Sequence, residues 1–316
     1  MPKFHSRLFP SILLLFIPLG HTTLFAQSAP KAAAAPTAEQ ALDLAQHGRC
    51  KEAIPTLKRA LSATNNSVDL RKQAAVLGLR CSLATDDRDS AVTFLQQMHK
   101  QFPKDPDILY MVVHAYSDLS TRSSEDLART APQSTAALKL AAEAYEMQGN
   151  WDEAQHQYET ILKRDPQEPG IHFLLGRALL SRPNPTPEML DRARDEFQKE
   201  LQVNPTNAGA HYVLGELARK KENCDEAISH FAQATRLDNN FAEAYLGWGY
   251  CLTTQKKYED AVAKLRIAER LMPGNPAVHF ALGTALNFAG QKQEAQKEFA
   301  IHRQLTAAAA PTPPPQ

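Results

Sequence analysis

The chain has 316 residues with 35 basic and 35 acidic side chains, so its formal charge is zero. Without residues 1–26, which hold Lys3 and Arg7 and no acid, the balance is 33 against 35, or −2, which argues against a nucleic-acid or anionic-membrane partner held by charge. Only 13 glycines and 7% aromatic residues, beside abundant alanine, suit helices with little strand.

In chain order, residues 1–26 read as a secretory signal. A basic start (Lys3, Arg7) precedes an apolar run too short to span a bilayer and broken by Pro10 and Pro18, and Leu24, Phe25 and Ala26 offer a cleavage site. With no cysteine there to take a lipid, the expectation is a chain released to the periplasm or the medium. Residues 27–36 (QSAPKAAAAP) form a small-residue linker. From there to residue 305 the apolar positions step by three and four, as helices require. Ala53, Leu57 and Ala60 mark a first helix pair from about Thr37. Ala75, Gly78, Leu79, Ala91, Leu95, Met98 and Pro103 mark a second. The unit from Pro106 keeps one helix (Leu109, Val112, Val113, Tyr116) and is expected to fold back through a short second helix over 123–131. Leu138, Ala142, Tyr145, Gly149, Ala154, Tyr158, Ile161 and Pro166 give a complete unit. The next has Leu175, Gly176, Leu179, Phe197 and Pro205, with residues 181–187 (SRPNPTP) as a long inter-helix loop, because three prolines cannot continue a helix. Residues 306–316, rich in alanine and proline, are a tail that builds no core.

Over residues 208–305 one pattern is written three times at a spacing of 34. Leu214-Gly215 recurs as Trp248-Gly249 and Leu282-Gly283, Ala227 as Ala261 and Ala295, Phe231 as Leu265 and Phe299, and Leu237 as Leu271 and Leu305. A fixed period of this size marks stacked repeats. The glycines are expected to face Ala227, Ala261 and Ala295 across their own hairpins, with the polar breaks near Glu222, Lys256 and Gly290 between the helices. In the unit from Ala242 the series Tyr245, Trp248, Gly249, Leu252, Ala261, Leu265, Ala268 and Pro273 resembles the tetratricopeptide repeat (TPR). The resemblance implies an all-α superhelix, a TPR solenoid of seven or eight helical hairpins over residues 37–305, of the exported bacterial type. It also implies a non-enzymatic scaffold that takes a protein or peptide in its concave groove, or alternatively an assembly factor for envelope, pilus or secretion machinery.

Acidic residues recur at the start of each second helix (Asp152-Glu153, Asp225-Glu226, Glu259-Asp260, Glu294), where carboxylates meet unpaired N–H groups. The four cysteines sit in two pairs with the same relation to a repeat boundary, Cys50 with Cys81 and Cys224 with Cys251. Two disulfides follow in an exported chain, with four buried thiols as the alternative. His172, His211 and His279 share the fourth position of their units and read as packing residues. Helices 8–10 Å apart do not bring one position of successive units within the ~2 Å that zinc requires, so no metal and no cofactor is expected. Phosphate-loop, zinc-protease and nucleophile-elbow motifs are absent from the sequence.

In a TPR-like hairpin, positions 5, 9 and 12 of the first helix point into the groove. Here they supply Phe173, Arg177, Tyr212, Glu216, Arg219, Leu246, Tyr250 and Phe280, aromatic groups beside arginine, the types that dominate binding surfaces. Lys139 and Glu143 stand at two such positions of an earlier unit and do not reproduce the family's clamp for acidic termini. A mixed apolar and polar ligand is expected.

Overall fold

The computed structural model describes residues 35–308. The expected leader, most of the linker and the tail from residue 309 lie outside them. Among the described residues there are fifteen helices and no strand. In chain order they are α1 (Ala38–Gln46), α2 (Cys50–Ser62), α3 (Val68–Ala84), α4 (Arg88–Gln101), α5 (Pro106–Thr130), α6 (Thr135–Met147), α7 (Trp151–Arg164), α8 (Ile171–Leu180), α9 (Pro187–Val203), α10 (Ala208–Lys220), α11 (Cys224–Leu237), α12 (Ala242–Thr254), α13 (Tyr258–Leu271), α14 (Pro276–Phe288) and α15 (Lys292–Ala308). Fourteen pair into seven hairpins.

The exception corrects the sequence reading. Residues 123–131 do not fold back as a second helix; α5 runs unbroken for 25 residues. Six of the seven hairpins turn through one residue of positive φ: Gly48, Asp86, Gly149, Glu222, Lys256 and Gly290. Among the described residues none of that kind occurs between Asp86 and Gly149, so the chain has no such turn to make there. The seventh hairpin, α8–α9, turns instead through the expected proline loop, with Asn184 at φ 55°. At the other end α15 reaches Ala308, three residues past the expected boundary, because alanine is the best helix former and nothing stops the helix at residue 305.

The chain divides into two compact units, at Leu119 and Ser120. In the first, Thr37 and Gln40 form a reciprocal cap at the start of α1. Its core gathers Leu57, Leu79, Phe94, Leu95, Met98 and Ile108. Cys50 of α2 and Cys81 of α3 are bonded, with S–S 2.03 Å and Cα atoms 5.0 Å apart.

In the second unit each hairpin packs on the next, and the apolar core passes along them in successive clusters. Here the glycines do a different job from the one expected. A Cβ placed on Gly215 would lie 2.7 Å from the Phe231 ring, on Gly249 2.4 Å from Leu265, and on Gly283 2.8 Å from Phe299. What each glycine admits is therefore the large side chain four residues past the alanine, not the alanine. Gly247 sits against the other face of the same Phe231 ring (2.6 Å), so that ring is held between two helices where only hydrogen fits. Glu200, fully buried, accepts hydrogen bonds from the backbone N–H groups of Gly170 and Phe173 and from Asn207 Nδ2. It caps α8, whose own N-cap is a glycine with no side chain to offer.

The second expected bridge is not formed. Cys224 and Cys251 are free, buried thiols whose sulfurs stand 2.6 Å apart. Burial first, and then the contact with Cys224, push the Cys251 thiol well above its ordinary range. The thiolate is the reacting form, so this environment slows the reactions of Cys251.

Candidate binding groove

Helices α10, α12 and α14 are the first helices of three consecutive hairpins, and their shared face encloses a cavity of about 570 Å³. Of the eight expected groove residues, Tyr212, Glu216, Arg219, Leu246, Tyr250 and Phe280 line it. The other two do not. Phe173 packs edge-on to Phe197 with ring centres 5.5 Å apart, and Arg177 is paired with Glu146 at 2.9 Å.

The lining has three chemical parts. Exposed aromatic faces come from Tyr250, Phe280 and Phe288, each more than half accessible. Phe280 leans on Phe299 and His302, and Phe288 stacks on Tyr258 at 5.3 Å, so both are presented by neighbouring rings. Charge comes from Glu243 and from Glu216 with Arg219, which join through two hydrogen bonds of 3.0 and 2.7 Å. The same guanidinium lies 5.1 Å from the centre of the Tyr250 ring. Arg219 is thus already neutralised and stacked, and stands in the groove as a flat surface more than as a free cation. Thr253, Thr254 and Thr284 add hydroxyls, although the Thr253, Thr254 and Thr284 hydroxyls donate to backbone carbonyls one turn back.

Tyr212 belongs half to the core. It packs against Phe231 and Phe241, and burial, followed by the carboxylates of Glu216 and Glu243, raises its phenol pKa. Residues missed from the sequence follow the same geometry. Thr253 and Thr284 are at positions 12 and 9 of their units, passed over because they are small. Thr254 and Phe288 lie one turn beyond Tyr250 and Thr284, on the face that an i, i+4 step shares. Behind the groove wall, Trp248 of α12 carries the Lys264 ammonium 3.9 Å above its ring.

The three fourth-position histidines do more than pack. His172 lies between Glu196 (Nδ1, 2.6 Å) and the Pro166 carbonyl (Nε2, 3.0 Å), and His279 between Glu298 (2.7 Å) and the Pro273 carbonyl (2.9 Å). Each ties its second helix to the proline turn that precedes its unit. His211 meets another ring instead, with its Nδ1 3.1 Å from that of His230. The three have separate partners. Each partner lies on the second helix of the same hairpin.

Stacked helical hairpins presenting a lined inner face define a repeat scaffold. The family model described as tetratricopeptide repeat matches residues 139–186, 188–240 and 212–276, and the chain is a TPR protein over that stretch. No curated protein sequence matches the chain. Among solved structures it is similar to MamA, at 21% identity and TM-score 0.49, over 57% of this chain and 98% of that one. It is also similar to YrrB, described as a TPR protein with an unusual peptide-binding site, at 18% identity and TM-score 0.49, over 59% of this chain and 93% of that one. A third similarity is to MamA from Desulfovibrio magneticus RS-1, at 18% identity and TM-score 0.49, over 56% and 97%. Likeness at that level says nothing about ligands.

Proposed function

We propose that the chain is a non-enzymatic binding scaffold that seats an extended protein or peptide segment between α10, α12 and α14. One observation carries this: exposed Tyr250, Phe280 and Phe288 surround a cavity of about 570 Å³ on the face where three repeats meet. Contiguous accessible aromatic surface on a rigid scaffold is the kind that binding uses. The preferred segment carries apolar or aromatic side chains with one or two hydrogen-bonding groups. A free carboxylate is disfavoured, because Arg219 is satisfied by Glu216 and Glu243 adds negative charge.

Selection of displayed peptides on the purified chain, followed by titration of the selected sequences, tests the reading. Tyr250→Ala with Phe280→Ala should weaken binding by at least about tenfold while the helical circular dichroism is unchanged. Binding that survives with the fold intact would place the ligand elsewhere. Tyr212→Ala is a poorer probe, since that ring also supports Phe231 and Phe241.

The scaffold is proposed to work outside the cytoplasm. The composition of residues 1–26 and the bonded Cys50 and Cys81 support export to an oxidising compartment. No helix of the described residues is long and apolar enough to cross a membrane. N-terminal sequencing of protein made in an exporting host should begin near Gln27; a sequence starting at Met1 would remove the proposal.

A further inference from the structure

We infer that Glu269, His279 and Glu298 form a site for a divalent transition-metal ion, with Zn²⁺ as its natural probe. The three residues come from α13, α14 and α15, and their ligating atoms all lie within 4.8 Å of one another. In a tetrahedral zinc site, bonds of about 2.0–2.2 Å put ligand atoms roughly 3.4 Å apart, so the set closes on an ion by side-chain movements of about 1 Å. His279 and Glu298 are buried, and Glu269 is half-exposed, which leaves a solvent side for entry and for a fourth ligand.

Three further features favour an ion over a plain ion pair. First, His279 Nε2 donates to the Pro273 carbonyl at 2.9 Å, which fixes the ring and leaves Nδ1 facing the carboxylates. A histidine that binds metal through one nitrogen holds a carbonyl or carboxylate with the other in just this way. Second, the charges are unbalanced. Two carboxylates meet one imidazole, and among the described residues neither Glu269 nor Glu298 pairs with a lysine or arginine. An ion bound at Nδ1 takes the place of the ring proton there, and its two positive charges meet the two carboxylates.

Third, the molecule supplies its own comparison. The hairpin of His172 repeats the same histidine, glutamate and proline-carbonyl arrangement, but there Lys199 occupies the second oxygen of Glu196 at 2.8 Å. Ten residues before His172 and His211 stand Leu162 and Leu201; ten before His279 stands Glu269. A structural histidine–glutamate clip needs no second carboxylate, since its sibling does without one. Only at α13–α15 has the apolar neighbour become a ligand and the competing lysine gone.

Isothermal titration of the purified chain with ZnCl₂ should give one saturable site. Glu269→Leu, which restores the sibling's residue, and Glu269→Gln, which keeps its size, should each weaken it by at least about tenfold, as loss of a ligand does at the strength that even outer-sphere changes reach. Circular dichroism should stay unchanged in both, and His230→Ala should leave the isotherm as it is. No saturable binding, an isotherm indifferent to both Glu269 variants, or one abolished by His230→Ala would overturn the assignment.

Discussion

Lys256 and Glu222 hold the left-handed conformation, φ 62° and 60°, at the turn position that Gly48, Gly149 and Gly290 fill elsewhere. A side chain there crowds the following carbonyl by roughly 1–2 kcal/mol, partly offset because glycine adds freedom to the unfolded chain. Lys256→Gly and Glu222→Gly should each stabilise the fold by about 0.5–1 kcal/mol in urea denaturation. The His211–His230 contact gives a second expectation of the same scale. One ring can donate to the other only while the other is neutral. Burial lowers both pKa values, helped at His211 by His230 and Arg236 and opposed by the Pro205 carbonyl; Glu226 opposes at His230. As pH falls below the ordinary 6.5, the unfolded chain therefore takes up protons first. The pair stabilises the fold above that pH and the contribution is lost as pH drops through the lowered folded values. His230→Gln should flatten the decline of the melting temperature between neutral and mildly acid pH; a steeper decline would contradict this.

The helix is the scale at which the sequence was most readable and also where it misled. Three hairpins were visible because small and large positions recur 34 residues apart, and the earlier ones because the same residue types could be traced back from them. The groove was visible for the same reason: once α10, α12 and α14 are in register, positions 5 and 9 share a face. Phe173 and Arg177 obey that rule on α8 and still fall outside the cavity, whose lining comes from α10, α12 and α14 alone. The continuity of α5 was unreadable from its weak pattern; the missing signal was a turn residue. The glutamates opposite His172 and His279 were hidden in another way, 24 and 19 residues downstream on second helices, where acids look like solvent-facing charge. Gly249→Ala puts a Cβ 2.4 Å from Leu265 and should destabilise α12–α13 by about 1–3 kcal/mol, measured by chemical denaturation. Cys50→Ala with Cys81→Ala opens a link across 31 residues and should destabilise the first unit by roughly 3.7 kcal/mol on the loop-entropy model, whereas alkylating reagents should reach Cys224 and Cys251 only after unfolding.

Across the second unit, stability is shared between neighbours, since each hairpin buries its apolar face on the next. Removing α14 and α15 would uncover Leu252, Val262 and Leu265 and take Phe280 and Phe288 from the groove together. Binding and end stability are therefore coupled, and peptide binding should raise amide protection in α14 and α15, read by hydrogen exchange. The Lys264 ammonium above Trp248 gives that coupling an optical readout. The chain has two tryptophans, Trp151 and Trp248, and Trp248 shares α12 with the groove residues Leu246, Gly247 and Tyr250. With Trp151→Phe, a single indole reports the field of one nearby cation, and a shift of α12 of a few tenths of an ångström would register as a change of emission colour without any label.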